Sequence, residues 1–216
     1  MPKLILVPTS LECQQLTPLL TAVANQNDWR IEVIGFGPIA AASTTATLIQ
    51  QHQPTRICLI GIAGRYDTAI SLGSAISFSS VSSYGVGVGT GDQYVGATKM
   101  GWPMIEESST HPAIDETISL DSSGSSGTNC LLTCCAASAD HGDTLQRLLV
   151  QPDAIAEDME GFGVALSCKL ANVPLTIVRG ISNIAGDRNH ANWKINQALD
   201  AAADLAIRTV LGATNV

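Results

Sequence analysis

Glu12 closes the stretch "LVPTSLE" (6–12), just past a short apolar run ended by Pro8, and three acids crowd "AEDMEGFG" (156–163), where a second apolar run begins. A carboxylate so placed has two uses. It caps a helix by accepting from exposed N–H groups at the positive end of the dipole. Alternatively it points into a site, where it takes a proton from water, grips hydroxyls or steadies a developing cation. A third polar stretch, "RGISNIAGDRNHANW" (179–193), adds Asn183, Asp187 and Arg188. An amide donates and accepts but has no dissociable proton, whereas a carboxyl group can give one up. Arginine's planar fork suits a substrate carboxylate. Between these stretches, "GIAG" (Gly61 to Gly64) supplies the close backbone approach and exposed N–H groups that ribose or phosphate binding requires.

Several chemistries are disfavoured by the same reading. The glycine loops are neither GxGxxG nor a Walker lysine loop, so a dinucleotide or ATP site is poorly supported. His52, His111, His141 and His190 form no HExxH or other metal set. Cys130, Cys134 and Cys135 lack paired CxxC spacing and read as small buried hydrophobes.

The elements that must position these residues follow from patterning. Leu4 to Val7 reads as a buried strand, Glu12 to Ala24 as a helix and Ile31 to Ile34 as the next strand, which is how a βαβ unit begins. A small-residue helix over Ile39 to Gln51 precedes a strand from Arg56 to Gly61, after which the "GIAG" glycines are expected to bend the chain. Ala75 to Phe78 continues as strand, extending toward Gly85. Val86 to Thr98 is glycine-rich and irregular, and the polar stretch 106–128 reads as a surface excursion. Asn129 to Cys135 is a strand, Thr144 to Val150 a short helix and Asp153 to Ala156 a short strand. A helix starting at Asp158 or Met159 is stopped by Asn172 to Pro174. Leu175 to Ile181 is the late strand, and Trp193 to Leu211 has the periodicity of a terminal helix. Strands alternating with helices predict a single α/β domain, residues 1–216, built as a three-layer α/β/α sandwich around a mixed sheet. Ligands in such sheets sit beyond strand C-termini, where the three polar stretches would meet.

Composition bounds the setting. With 216 residues, 45% of them hydrophobic, the chain buries one sizeable core, and its formal charge of −8 argues against a nonspecific nucleic-acid coat. The N-terminal stretch soon becomes polar and shows neither a secretory leader nor a membrane span, which fits a cytoplasmic enzyme.

In order along the chain, "LVPTSLE", "GIAG", "DMEG" and "RGISNIAGDRNHANW" resemble the purine nucleoside phosphorylase and nucleosidase superfamily. Within it, they look most like the futalosine hydrolases. The resemblance implies the fold of that superfamily and hydrolysis of the N-glycosidic bond of futalosine, releasing hypoxanthine and a carboxylated ribosyl product used in menaquinone biosynthesis. It implies no cofactor and no metal. By the same resemblance Glu12 activates water, with helix capping as its alternative. Glu160 accepts from ribose hydroxyls and favours positive charge on the sugar, while Met159 lies beneath sugar or base and Gly64 lets the backbone approach the nucleoside. Glu157 and Asp158 are left as capping or surface residues.

Asn183 stands where adenine-cleaving relatives carry aspartate, which favours a 6-oxopurine because the amide can donate to N7 or O6. Asp187 is a substitute acid or a second-sphere carboxylate, or pairs with Arg188. Arg188, Arg65 and Lys99 are candidates for the distant substrate carboxylate, and Arg179 orients a carboxylate or stabilises the fold. Among the scarce aromatics Phe162 is placed as a wall of the base pocket, Trp193 packs the last helix or serves as a lid, and Phe36 and Tyr84 stay open. The resemblance also implies a small-molecule nucleoside partner and a homo-oligomer, without membrane or nucleic acid. The competing readings are a purine nucleoside phosphorylase, which would have to neutralise phosphate, a methylthioadenosine/S-adenosylhomocysteine nucleosidase, and a nucleoside-binding protein without catalysis.

Overall fold

The computed structural model describes residues 1–120 and 129–212. In chain order it contains β1 (Lys3–Val7), α1 (Ser10–Gln26), β2 (Trp29–Val33), α2 (Pro38–His52), β3 (Ile57–Arg65), β4 (Ala75–Ser77), β5 (Ser80–Tyr84), β6 (Gly87–Val88) and β7 (Val95–Gly96). These are followed by β8 (Thr117–Ser119), β9 (Cys130–Cys134), α3 (His141–Val150), β10 (Ala154–Asp158), α4 (Gly161–Leu170), β11 (Leu175–Ile184) and α5 (Ile195–Ala206). A nine-stranded mixed sheet runs β2-β1-β3-β10-β9-β5-β8, with β11 on β3 and β4 on β11. One face carries α1 and α5, whose Leu16, Leu20, Leu199, Ala202 and Ala206 pack with Ile5, Val7, Ile60 and Val178. The other face carries α2 and α4, where Ala41, Leu48, Phe162, Val164 and Ala165 pack with Leu4, Leu59 and Ile177. This is the expected three-layer α/β/α sandwich.

Local chemistry explains where these elements start. Thr9 and Glu12 form a reciprocal capping box at the head of α1, and Pro38 opens α2 with its fixed φ. The helices approach so closely that side chains are excluded at the contact: a Cβ on Gly163 of α4 would clash with the Pro38 carbonyl at the head of α2. Buried helix α4 therefore reads as apolar on nearly every side.

The topology creates one interruption in the ladder. β11 pairs with β3 in parallel from Leu175 opposite Ile57 to Ile184 opposite Arg65, with a register shift at Ser182. The other edge of β3 is shared: parallel β1 takes Ile57 to Leu59, and antiparallel β10 takes Gly64 and Arg65. The C-terminal ends of β1 and β10 thus face each other across a gap beside Ile60 to Ala63. Backbone groups left open there need partners, and the heads of α1 and α4 both lie at this gap.

Several expectations are corrected. "GIAG" does not bend away: β3 continues through it to Arg65, because β11 pairs beside it throughout. β10 reaches Asp158, so Glu157 and Asp158 are buried strand residues rather than surface acids, and α4 starts only at Gly161. β11 extends to Ile184, which puts Arg179 in mid-strand, fully buried. The glycine-rich stretch contains the small hairpin β6–β7. The surface excursion contributes β8, paired antiparallel to β5 with Ile118 buried; its residues 121–128 lie outside the described part. The last helix begins at Ile195, after Trp193, and ends in a π turn, Ile207–Leu211. Cys135 is exposed, whereas Cys130 and Cys134 are buried as expected.

Candidate active site

Glu12 fills the gap in the ladder. One carboxylate oxygen, Oε1, accepts from Ile62 N–H at 3.1 Å, an open-edge donor of β3. The other, Oε2, accepts from Thr9 N–H at 3.1 Å and the Thr9 hydroxyl at 2.7 Å. Capping and siting are therefore the same act: the capping box fixes the rotamer that brings Oε1 to the gap. Gly61 makes room for it, since a Cβ there would lie 2.8 Å from Glu12 Oε1 and collide with Arg179 Nη1.

Glu160, at the end of the opposing strand, is also buried, and its Oε1 accepts from Gly37 N–H at 3.1 Å. Its second oxygen lies 3.4 Å from Arg179 Nη2. Burial pushes its carboxyl up to about 7, with Asp158 and Glu12 adding to the rise and Arg179 and the Gly37 N–H opposing it.

Arg179 ties the acids together. Its Nη2 and Nε donate to Asp158 Oδ2 at 2.5 and 3.1 Å, and that same oxygen accepts from Gly161 N–H at 2.9 Å. Asp158 Oδ1 accepts from the Thr133 hydroxyl at 2.6 Å. Asp158 thus does assist the head of α4, but as the buried counter-ion of an arginine. Arg179 Nη1, buried beside Glu12 Oε1, has no protein partner. A cation so enclosed by three carboxylates stays charged, and it holds a spare donor toward the gap.

Asn183 lies further along β11, its Oδ1 accepting from the Ser182 hydroxyl at 2.7 Å and its Nδ2 donating to the Ile184 carbonyl at 2.9 Å. The Ile184 carbonyl, which can only accept, thereby fixes which end of the amide is the donor. Gly64 gives this amide its place, because a Cβ there would sit 3.2 Å from Nδ2. Met159 is half-buried between Asp158 and Glu160.

The remaining candidates do other things. Asp187 folds its loop: it accepts from Asn189 N–H at 2.9 Å and Asn192 Nδ2 at 2.8 Å. Those bonds hold its carboxyl below its usual value, the opposite of what a proton donor needs. Phe162 is packed in the core under α2 rather than lining a pocket, since α4 begins one residue before it and turns it inward. Arg65 spends its guanidinium on the carbonyls of Asp67, Thr68 and Ile70. Lys99 lies in a short 3₁₀ turn bordering a separate cavity of about 230 Å³ with Tyr94, Glu116 and Gln146. Arg188 is exposed and stacks over the Trp193 ring, 5.1 Å from its centroid. Trp193 donates from Nε1 to the Asp187 carbonyl at 3.0 Å. Phe36 is 67% exposed, and Tyr84 stacks on Tyr94 at 4.7 Å. Among the described residues no group of His, Cys, Asp and Glu could hold a metal ion, and no helix is long and apolar enough to cross a membrane.

Sequence reasoning missed Ile62 and Gly37, whose contributions are backbone N–H groups, and Ser182 and Thr133, whose hydroxyls orient Asn183 and Asp158. Gly37 and the glycines flanking Ile62 in "GIAG" carried a signal for backbone N–H groups; the two hydroxyls carried none.

The phosphorylase superfamily model matches residues 19–213. A futalosine hydrolase from Streptomyces coelicolor is 30% identical over 195 residues, covering 87% of this chain and 80% of that one. A 5'-methylthioadenosine/S-adenosylhomocysteine nucleosidase from Hydrogenovibrio crunogenus is 29% identical over 185 residues, covering 82% and 76%. Among solved structures, the futalosine hydrolase of Helicobacter pylori superposes with a TM-score of 0.76 at 15% identity, covering 98% of each chain.

Proposed function

The chain belongs to the phosphorylase superfamily, and from that premise we propose that it is a nucleosidase that hydrolyses the N-glycosidic bond of futalosine to release hypoxanthine. The observation that carries the reading is that Glu12 Oε1 and the unpartnered Arg179 Nη1 both border Gly61 in the strand gap, with Glu160 on the same arginine.

A water molecule held between Glu12 Oε1 and Arg179 Nη1 attacks C1′ and gives its proton to Glu12. The C1′–N9 electron pair leaves with the purine. Glu160, as carboxylate, accepts from ribose hydroxyls and stabilises the positive charge that gathers on the sugar. Asn183, its amide set by the Ile184 carbonyl, donates from Nδ2 to the departing 6-oxopurine, whose negative charge grows as the bond lengthens. The purine leaves as its anion and takes a proton from solvent; Asp187 does not supply that proton, because its loop bonds favour the ionised form. Arg188, paired with no carboxylate among the described residues, is the cation assigned to the distant carboxylate of the substrate. Leu11, Phe36 and Ile39, 79%, 67% and 83% exposed and within two residues of Glu12 or Gly37, are the apolar residues assigned to contact with a second copy in a homo-oligomer.

The second reading, cleavage of methylthioadenosine or S-adenosylhomocysteine, is favoured by the near-equal identity to the Hydrogenovibrio nucleosidase and disfavoured by the amide of Asn183. Phosphate-free turnover measured by chromatography, with futalosine, inosine and methylthioadenosine offered separately, separates them. Hypoxanthine release from futalosine alone is expected. Adenine release from methylthioadenosine would replace the substrate assignment, and inosine cleavage only on adding phosphate would replace hydrolysis with phosphorolysis.

A further inference from the structure

A second buried ion pair begins one residue before Asp158, the counter-ion of Arg179, and plays no part in the scheme above. Successive strand residues point to opposite faces, so Glu157 turns away from Arg179 toward α3. There it meets Arg147 at 2.5 Å, both side chains less than a tenth exposed. Glu157 accepts four hydrogen bonds: from Arg147 Nη1, from the Tyr66 hydroxyl at 2.7 Å, and from Ser138 N–H and Oγ at 2.9 and 2.6 Å. Arg147 reaches back with Nη2 to the Ala136 carbonyl at 2.8 Å and with Nη1 to Ser138 Oγ at 2.5 Å, and its guanidinium lies over the Tyr84 ring. Burial and the neighbouring carboxylate raise the Tyr66 hydroxyl well above its ordinary value, so it remains a donor.

Such a pair is an expensive way to gain stability, since apolar residues of similar volume generally do as well. What this one does is local. Both of its members grip the segment Ala136–Ser138 as it leaves β9, whose Thr133 already orients Asp158. The same segment runs on to Asp140, whose backbone packs so tightly against Gly186 that a Cβ there would clash with it. Gly186 belongs to the loop that follows Asn183. On the other side of β10, Glu157 pairs with Gly64, the glycine that admits the Asn183 amide.

We infer that Glu157 and Arg147 are positioning residues that clamp Ala136–Ser138 against the Asn183 loop and so set the width of the slot holding the leaving purine. The inference rests on the nucleosidase reading for the identity of what the slot holds. Three variants grade the clamp: Ser138→Ala and Tyr66→Phe each remove one donor without stranding a charge, and Glu157→Gln removes the charge itself. Binding of hypoxanthine and adenine is measured by calorimetry alongside nucleoside turnover. The expected result is a weakening of hypoxanthine binding by about tenfold in Glu157→Gln, less in the other two. The hypoxanthine-to-adenine preference shrinks in the same order, and KM rises more than kcat falls. A preference ratio is unaffected by a drop in the folded fraction, so an unchanged ratio in all three variants would overturn the inference.

Amide hydrogen exchange supplies a readout independent of turnover. Faster exchange in Glu157→Gln that spreads through 136–140 to 183–187 supports the clamp, and acceleration confined to α3 and β10 overturns it. If the wild type cleaves no nucleoside, the proposed function falls, and the spread of exchange still decides whether the clamp exists.

Discussion

At the scale of the residue, each carboxylate near the gap is held by its own set of partners. Glu12 is held by Thr9 and Ile62 with one oxygen beside Arg179 Nη1. Removing its charge in Glu12→Gln should lower kcat for phosphate-free hydrolysis by about 10²–10⁴-fold, the range for a general base, while the purine still binds. Glu160 must be ionised to accept from the ribose, and its carboxyl sits at about 7. The rate kcat/KM should therefore fall as pH drops below about 7 and level off above it; a profile flat from pH 5 to 8 would remove Glu160 from the reaction. Asn183→Asp restores a dissociable proton beside the Ser182 hydroxyl and should shift preference toward adenine nucleosides, read as the ratio of kcat/KM for methylthioadenosine to that for inosine. These acids were legible as chemistry in "LVPTSLE" and "DMEG", because caps and ligands favour the same residue types. Their division of labour was not: nothing in three neighbouring acids says that Glu157 faces Arg147 while Asp158 faces Arg179.

At the scale of the element, the site exists because two strands run head-on along one edge of β3. The capping box of α1 does double service there, so Thr9→Ala should cost about 0.5–2 kcal/mol of stability and reduce kcat as well, by freeing the Glu12 rotamer. Thermal unfolding and turnover on the same samples would separate the two losses; a stability cost with intact kcat would show that the cap does not orient Glu12. Gly61→Ala is the sharper probe of the gap. Its methyl would occupy the space of Arg179 Nη1 and Glu12 Oε1, and overpacking of that kind costs roughly 1–3 kcal/mol. Activity should fall with it even at temperatures where the variant remains folded. The main strands and helices were readable from periodicity to within a few residues, whereas β6, β7 and β8 fall in stretches read as irregular or as surface. Strand ends were misplaced where tertiary pairing prolonged them: β11 carries β3 through the glycines, and β9 carries β10 on to Asp158.

At the scale of the whole molecule, the buried cluster of like charges carries a cost that depends on pH. The Glu160 carboxyl has a higher pKa folded than unfolded, so the native state binds its proton more tightly. Its contribution is most favourable below the unfolded value, declines as pH rises from about 4.5 to about 7, and is constant above that. Denaturant unfolding at pH 5 and pH 8 should show Glu160→Gln losing less stability across that interval than the wild type, by up to about 3 kcal/mol; identical changes would refute the raised value. Sequence alone determined the three-layer architecture, since alternating apolar runs and amphipathic helices admit little else. It also determined the residue types at the gap, because a hydrolytic site needs carboxylates and an arginine whatever the backbone does. Only the tertiary structure decided that Phe162 belongs to the core, that Asp187 serves its own loop, and that Ile62 and Gly37 lend backbone N–H groups to the two acids. The role of Ile62 depends on which edge of β3 is left open, a property of strand pairing between segments about a hundred residues apart that no local pattern encodes.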